Sequence, residues 1–341
     1  MKPQMLKRLP ERYAERHALP TLSIVVPFYN EREVLPACLA RLEQILNTLE
    51  LDAELVFVDD GSHDGSADLL AAMQPHRADL RLLRLSRNFG KEAAMSAGLA
   101  HARGAAVIVL DADLQDPPEL IPAMLAEWRA GADVVQMQRR SRAGESWLKR
   151  SSAHAFYRLL ARLSPAPIPL DTGDFRLMSR RAVDALLRLP ERNRYMKGLY
   201  AWIGLPAAVL QYDRAPRQAG RSKWRYTALA GLALEGITSF STAPLRLATL
   251  AGALTALAGG LYCLWIVAKA LLFGDPVAGY PSLVALLALL GGMQLLGIGI
   301  VGEYVGKAYL EAKQRPLYLI QDERLILAGA RVAEWKTRRH A

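Results

Sequence analysis

Two carboxylates stand one residue apart in the stretch Ala105 to Glu119, which reads AAVIVLDADLQDPPE. Asp111 and Asp113 flank Ala112 and directly follow the apolar run Val107-Ile108-Val109-Leu110. Two such charges at the end of a buried run are costly unless something positive lies between them. Hard carboxylate oxygens suit Mg²⁺ or Mn²⁺, and Mg²⁺ commonly takes one or two carboxylates together with substrate phosphates. The spacing therefore points to a divalent cation that carries a diphosphate. The plainer alternative is a strand end with two solvated aspartates. The polar run Gln115-Asp116-Pro117-Pro118-Glu119 and the other polar clusters along the chain favour the cation.

Those clusters are Asn30 with Glu31, Asp59 with Asp60, and Arg87 to Lys91. Glu31, Asp59 and Asp60 offer the acceptors that a nucleotide base and ribose require. Lys91 and the turn at Gly90 offer a cation and backbone N–H groups to a diphosphate. Asp59-Asp60-Gly61-Ser62 taken alone is an ordinary turn signal. A second basic group comprises Arg139, Arg140, Arg142, Arg176, Arg217, Arg221 and Lys223. Most of these read as surface charge. Arg176 follows Gly173-Asp174-Phe175 inside a short apolar strand, where an unpaired guanidinium would be expensive. A phosphate partner would match its fork.

The elements that must position these groups alternate strand with helix. Strands are expected at Leu22–Pro27, Ala53–Val58, Leu80–Leu85, from Val107, at Asp133–Gln138 and at Ala207–Tyr212, with an edge strand at Asp174–Met178. Helices are expected at Glu33–Glu50, Gly65–Met73, Lys91–Ala102 (closed by Gly104 as a C-cap glycine), Pro118–Arg129 and Arg180–Leu187. The alternation implies βαβ units and a mostly parallel sheet. Ligands of such sheets sit beyond the carboxyl ends of the strands, where the polar clusters fall.

The 341 residues are 52% hydrophobic with a formal net charge of +10. No nucleic-acid-binding motif accompanies the positive charge, so phosphate substrates and an anionic membrane face explain it better. Leu247 to Ala268 and Ser282 to Gly302 are uncharged apolar runs of the length a bilayer-crossing helix needs. The link between them carries no Lys or Arg beyond Lys269, whereas Arg246 precedes the first run and Lys307, Lys313 and Arg315 follow the second. The positive-inside rule puts both ends in the cytoplasm. Residues 1–20 are basic and lack an apolar signal core, so the catalytic part is expected to stay in the cytoplasm, anchored at the inner membrane. The segments Gly144–Leu163 and Trp224–Phe240 mix basic, aromatic and apolar residues, as interfacial helices do; for the first, packing on the sheet is an equal alternative. Gly297-Ile298-Gly299-Ile300-Val301-Gly302 fits a dinucleotide fingerprint but lies inside an apolar run, where its glycines serve close helix approach instead. The expected organisation is a basic arm (1–20), a catalytic domain (21–223), interfacial helices (224–244), two spans (245–273 and 281–306) around an external loop (274–280), and a cytoplasmic tail (307–341).

The motifs VVPFYNE, VDDGSHDGS, LSRNFGKEAA, LDADLQDPPEL and DTGDFRLM, with the two C-terminal runs, resemble the family-2 glycosyltransferases that charge polyprenyl phosphates. These include the bacterial undecaprenyl-phosphate glucosyltransferases of O-antigen glucosylation and the dolichyl-phosphate mannose synthases. The resemblance covers about residues 20 to 320. It implies an α/β GT-A fold and an inverting, metal-dependent hexosyl transfer from a nucleoside-diphosphate sugar, with uridine favoured, to a polyprenyl phosphate. It further implies that Asp111, Asp113 and Gln115 hold Mg²⁺ or Mn²⁺, and that Pro27, Tyr29, Glu31, Asp59, Asp60 and Ala112 line the donor site with Lys91. Arg139 and Arg176 match positions that meet the acceptor phosphate, and Arg217 or Lys223 those that meet the donor phosphates. Many relatives carry Gly-Glu-Ser-Lys where this chain has Gly220-Arg221-Ser222-Lys223. Asp174 is the candidate base, or else orients Arg176. Resemblance and glycine-rich spans together suggest a homotetramer. Two other readings are a processive polysaccharide synthase of the same fold and a non-catalytic nucleotide-sugar-binding membrane protein. The first is disfavoured because the chain lacks a Gln-x-x-Arg-Trp motif.

Overall fold

The computed structural model describes residues 20–140, 172–192, 194–213, 243–273 and 280–328. Arg142, Arg217, Arg221, Lys223 and the two expected interfacial segments lie outside these residues. The chain divides into two compact units, one of which takes in the residues up to 213 together with those from Pro316 onward.

In that unit strands β1 (Leu22–Phe28), β2 (Ala53–Asp59), β3 (Asp79–Leu85), β4 (Ala106–Val109), β5 (Val134–Arg139), β6 (Thr172–Ser179), β7 (Ala207–Tyr212) and β8 (Ile320–Ile326) form one sheet. Its order is β7-β5-β6-β4-β1-β2-β3-β8. The helices are α1 (Leu35–Asn47), α2 (Ser66–Ala72), α3 (Lys91–His101), α4 (Ile121–Arg129, entered through a 3₁₀ turn at Pro118–Leu120), α5 (Arg180–Leu187) and α6 (Met196–Trp202). β1 pairs in parallel with β2 and β4, and β2 with β3. Four carboxyl ends therefore open on one rim.

β1 and β2 read as near-continuous apolar runs because both faces of the sheet are covered. Ile24, Val26, Phe28, Leu55 and Phe57 join Leu35, Leu39, Leu42 and Leu46 of α1 in one core cluster. The alternate residues Val25 and Val58 meet α3 on the other face, at Gly98. At the rim opposite the site, Glu54, 2% exposed, accepts hydrogen bonds from Ser23 Oγ (2.7 Å) and Arg103 Nη2 (2.8 Å). This pairing neutralises the buried carboxylate and pins the end of α3 to the strands.

Three expectations are corrected. Gly104 is not a C-cap glycine: α3 ends at Ala102 in an extended conformation, and a Cβ on Gly104 would come within 2.5 Å of the Ser23 backbone nitrogen. Close approach of two backbones, not a left-handed turn, requires the glycine. The strand around Asp174 is not an edge strand: β6 lies between β4 and β5, antiparallel to both. Residues expected to be tail instead form β8, antiparallel to β3, with Glu323 paired to the buried Arg81. Alternating polar residues in Ile320–Ile326 hid this strand, because its outer face is solvated.

The second unit contains two long helices, α7 (Ala243–Phe273) and α8 (Tyr280–Ala312), which pack on each other. Thr255 Oγ1 approaches Met293 Sδ at 3.3 Å across that contact. Leu254, Leu257, Leu261, Leu264, Leu295 and Leu296 are all exposed. Taken over the described residues alone, no helix is long and apolar enough to cross a membrane. Several side chains of both helices, at 256, 263, 266, 267, 284 and 285 among others, lie outside that description.

The fit of α3 on the sheet gives a stability expectation. A Cβ at Gly98 would lie 2.3 Å from Val25 Cγ1 and 3.1 Å from Val58 Cγ2, both branched side chains in a closed core. Gly98→Ala should destabilise the folded chain by about 1–3 kcal/mol, the usual cost of overpacking, as read by urea or thermal unfolding. An unchanged midpoint would mean that α3 can shift away from β1 freely.

Candidate active site

The register of the sheet brings together groups far apart in sequence. Val109 of β4 lies opposite Arg176 of β6. Continuing that antiparallel pairing by two residues carries Asp111 and Asp174 to the same rim. Lys91, the first residue of α3, reaches between them. Its Nζ lies 2.6 Å from Asp111 Oδ1, 2.9 Å from Asp111 Oδ2 and 2.7 Å from Asp174 Oδ2. Burial opposes charge on Lys91, but the two carboxylates outweigh it and hold the ammonium protonated well above the usual lysine range. Asp174 is likewise penalised by burial, yet Lys91, Lys197 and Arg176 hold it well below the usual carboxylate range. A carboxylate held so low is a poor proton acceptor. Asp174 is thus the ion-pair partner of Lys91.

Asp113, 7% exposed, is more buried than Asp111 and accepts from the Gln115 backbone N–H at 3.2 Å. Leu114 between them adopts φ +56°, a left-handed conformation that is strained for a branched side chain. This kink sets the direction of Asp113 and Gln115 at the end of β4. Asn30 at the tip of β1 is left-handed too, at φ +52°. Its N–H donates to Ser62 Oγ and its Oδ1 accepts from His63 N, both at 2.9 Å, which locks the tips of β1 and β2 together.

Asp59 and Asp60 are buried at the tip of β2. Asp59 Oδ1 accepts from Ser62 N at 2.9 Å, and its Oδ2 lies 3.5 Å from Arg84 Nε but makes no hydrogen bond. Asp60 accepts from Phe89 N at 2.8 Å and Gly90 N at 3.0 Å. Burial and the neighbouring Asp59 raise its pKa against those two donors. Asp60 thus shapes the loop that delivers Lys91, and Asp59 the turn at the tip of β2. Gly61, at φ +71°, carries that loop close: a Cβ would lie 2.5 Å from the Arg87 carbonyl carbon. Pro27 is buried in β1, Tyr29 and Glu31 are half-buried beside it, and Ala112 is buried between the paired acids.

Arg139 and Arg176 are found in different settings. Arg139 is half-buried at the end of β5, and its Nε donates to the Tyr212 hydroxyl at 3.4 Å. That hydroxyl in turn donates to Asp116. Arg176 is 2% exposed, stacked 3.6 Å over the Tyr200 ring and donating to Gly173 O at 2.8 Å. Partners inside the fold, rather than a ligand phosphate alone, make its burial tolerable, although its Nε has no hydrogen-bond partner.

Four groups near the site gave no sequence signal. Tyr200 and Lys197 come from α6, which was not foreseen. Tyr212 closes β7. Glu92 follows Lys91 and accepts from Met196 N at 3.3 Å. Burial and the nearby Asp174 push its pKa up to about 8. Among the described residues, no group of three or more His, Cys, Asp or Glu side chains converges as a ready metal cage.

Residues 23–187 match the model of glycosyl transferase family 2, and residues 243–308 match the GtrB C-terminal hairpin. The chain is 46% identical over 301 residues to an uncharacterized glycosyltransferase of Synechocystis, covering 88% of this chain and 95% of that one. It is 46% identical over 303 residues to the bactoprenol glucosyl transferase of Shigella phage SfV, covering 89% and 99%. A prophage bactoprenol glucosyl transferase homolog of Escherichia coli K12 is 43% identical over 300 residues, covering 88% and 98%. A mixed α/β sheet, mostly parallel, with acidic and basic groups gathered at its carboxyl rim is the GT-A-like architecture of sugar transferases. The chain belongs to the family-2 glycosyltransferases, within the polyprenyl-phosphate group whose catalytic domain is followed by a GtrB-type hairpin.

The raised pKa of Glu92 sets a pH dependence of stability. Near pH 4.5 and below, the carboxyl is largely protonated in folded and unfolded chains alike. Between there and about 8, the unfolded chain has lost a proton that the folded chain keeps, so stability falls as pH rises. Glu92→Gln should melt close to wild type at the acid end of that window and progressively higher toward its alkaline end. Parallel melting curves for the two proteins across the window would show that Glu92 titrates normally.

Proposed function

We propose that this protein transfers a sugar from a nucleoside-diphosphate donor, with uridine as the favoured base, to a polyprenyl phosphate at the cytoplasmic face of the inner membrane. The product is a polyprenyl-monophosphate sugar with inverted anomeric configuration. The observation that carries the reading is the convergence of Asp111, Asp113, Lys91 and Asp174 at the rim of a family-2 sheet. The bactoprenol glucosyl transferases aligned over nearly their whole length support the lipid acceptor.

The donor set fits a hard divalent cation. Asp111 and Asp113 supply two carboxylates one residue apart, and the rim already draws a positive charge onto Asp111 in the form of Lys91. Asp111, Asp113 and Gln115 would hold Mg²⁺ or Mn²⁺. Bound there, the cation would neutralise charge growing on the leaving diphosphate. Lys91 supplies a further positive group to the donor phosphates, with Arg217 and Lys223 assigned to the same task. Glu31, Asp59 and Asp60, with Pro27 and Tyr29, frame the nucleoside. Arg139, tethered by Tyr212 and Asp116, orients the acceptor phosphate, and Arg176 adds positive potential from beneath.

A phosphate monoester has a second pKa near ~6 and is largely dianionic at neutral pH. The nucleophile therefore needs alignment with the anomeric carbon more than deprotonation. This agrees with a site in which Asp174 is committed to Lys91.

The uncharged runs Leu247–Ala268 and Ser282–Gly302 support two membrane spans within α7 and α8. Helices of 31 and 33 residues rise about 45–50 Å, more than the ~30 Å of a bilayer's hydrocarbon core. Their exposed leucines are accounted for by lipid. Small residues along both helices suit close association between copies, and a homotetramer is part of the reading.

The test uses the full chain reconstituted with undecaprenyl phosphate, Mg²⁺ or Mn²⁺, and radiolabelled nucleotide sugars, and measures label in lipid-extractable product. Wild type should transfer. Asp111→Asn and Asp113→Asn should each lose about 100-fold or more, since a metal's charge stabilisation is worth several kcal/mol. Donor binding without transfer by the wild type would instead identify a nucleotide-sugar-binding membrane protein.

A further inference from the structure

The position of Lys91 has a consequence for how the rim takes up a metal. Asp111 spends both of its oxygens on one ammonium, at 2.6 and 2.9 Å. The same ammonium meets Asp174 Oδ2 at 2.7 Å, while Asp174 Oδ1 is buried without a hydrogen-bond partner. Asp113 and Glu92 add two more acidic side chains to this neighbourhood. Of the other nearby cations, Lys197 and Arg176 act on Asp174 only through space, with Arg176 stacked on Tyr200, and Arg139 leans on Tyr212. Among the described contacts, Lys91 is thus the charge that keeps Asp111 and Asp174 from repelling each other across the rim.

A divalent cation on Asp111 and the ammonium on the same carboxylate repel one another at such distances. They cannot both keep their full set of contacts. The stem of Lys91 is partly exposed and has four rotatable bonds, so its ammonium can leave Asp111 while Asp174 still anchors it.

We propose that Lys91 is a built-in stand-in for the metal: it occupies Asp111 in the metal-free protein, competes with the divalent cation for that carboxylate, and swings on Asp174 as its tether when the cation binds. Lys91 is then a positioning residue whose charge sets the metal affinity of the rim, and Asp174 is the post on which it turns. The inference rests on the assignment of Asp111 and Asp113 to a divalent cation.

The competition predicts a sign opposite to that of a supporting residue. Mn²⁺ binding to the purified full chain, without nucleotide, is measured by the loss of the free-ion electron paramagnetic resonance signal. Lys91→Met and Lys91→Gln should bind Mn²⁺ on the order of tenfold more tightly than wild type, because a competing charge within hydrogen-bond distance has been removed. Lys91→Arg, which keeps the charge, should stay close to wild type. Thermal melting gives an independent readout: both neutral variants should melt below wild type without metal and gain more from Mn²⁺ than wild type does. Neutral variants that bind Mn²⁺ no more tightly than wild type overturn the stand-in role. Variants that fail to fold even when prepared in Mn²⁺ also overturn it, since the metal should then replace the missing charge. A wild type that binds no Mn²⁺, with neutral variants that bind none either, overturns the metal assignment itself.

Discussion

The structure depends on a concentration of negative charge that has to be balanced at one rim of a sheet. β4 ends in Asp111 and Asp113, and β6, running the opposite way beside it, brings Asp174 to the same level. In a water-accessible loop three acids at this spacing would spread apart. Here the ends of β4 and β6 hold them close, so compensation comes from a side chain delivered to the spot. Lys91 is that side chain. Its delivery explains much of the surrounding architecture. The loop before it is held by both oxygens of Asp60, Gly61 lets that loop lie against the tip of β2, and Asn30 ties that tip to β1.

The second layer of the site is aromatic and buried. Tyr200 carries Arg176 on its face, and Tyr212 joins Arg139 to Asp116. The Tyr200 ring face lets the buried Arg176 guanidinium remain charged where water is scarce, while the Tyr212 hydroxyl steadies the half-buried Arg139. Burial pushes both phenols upward, so they stay neutral and act as fixed dipoles. The positive side of the rim is thereby held in place by contacts within the fold.

What could be read in the sequence followed from local signals. The apolar run ending in Asp111-Ala112-Asp113 announced a buried parallel strand, and β1, β2, β3 and the helices between them followed from hydrophobic period. Strand partnership was not legible. Nothing local to Thr172–Ser179 says that it will sit in the middle of the sheet, and so nothing local said that Asp174 would face Asp111. Glu92 and Tyr200 were invisible for a similar reason: their importance comes from what packs around them, not from their neighbours in the chain. Gly104 looked like a helix stop because a glycine after a helix usually is one, whereas here the close approach of β1 required it. β8 was missed because a solvated edge strand alternates polar and apolar residues much as a tail does.

The placement of β8 bears on the order in which the protein is made. The outer edge of β3 finds its partner only in Ile320–Ile326, which the ribosome delivers after both long helices have been synthesised. Until then a strand with several fully buried leucines presents an open row of backbone donors and acceptors. Before those residues are made, the outer edge of β3 lacks the partner it has in the finished fold. The Arg81–Glu323 pair fastens that edge, so sealing the sheet depends on a segment that lies beyond both long helices in the chain.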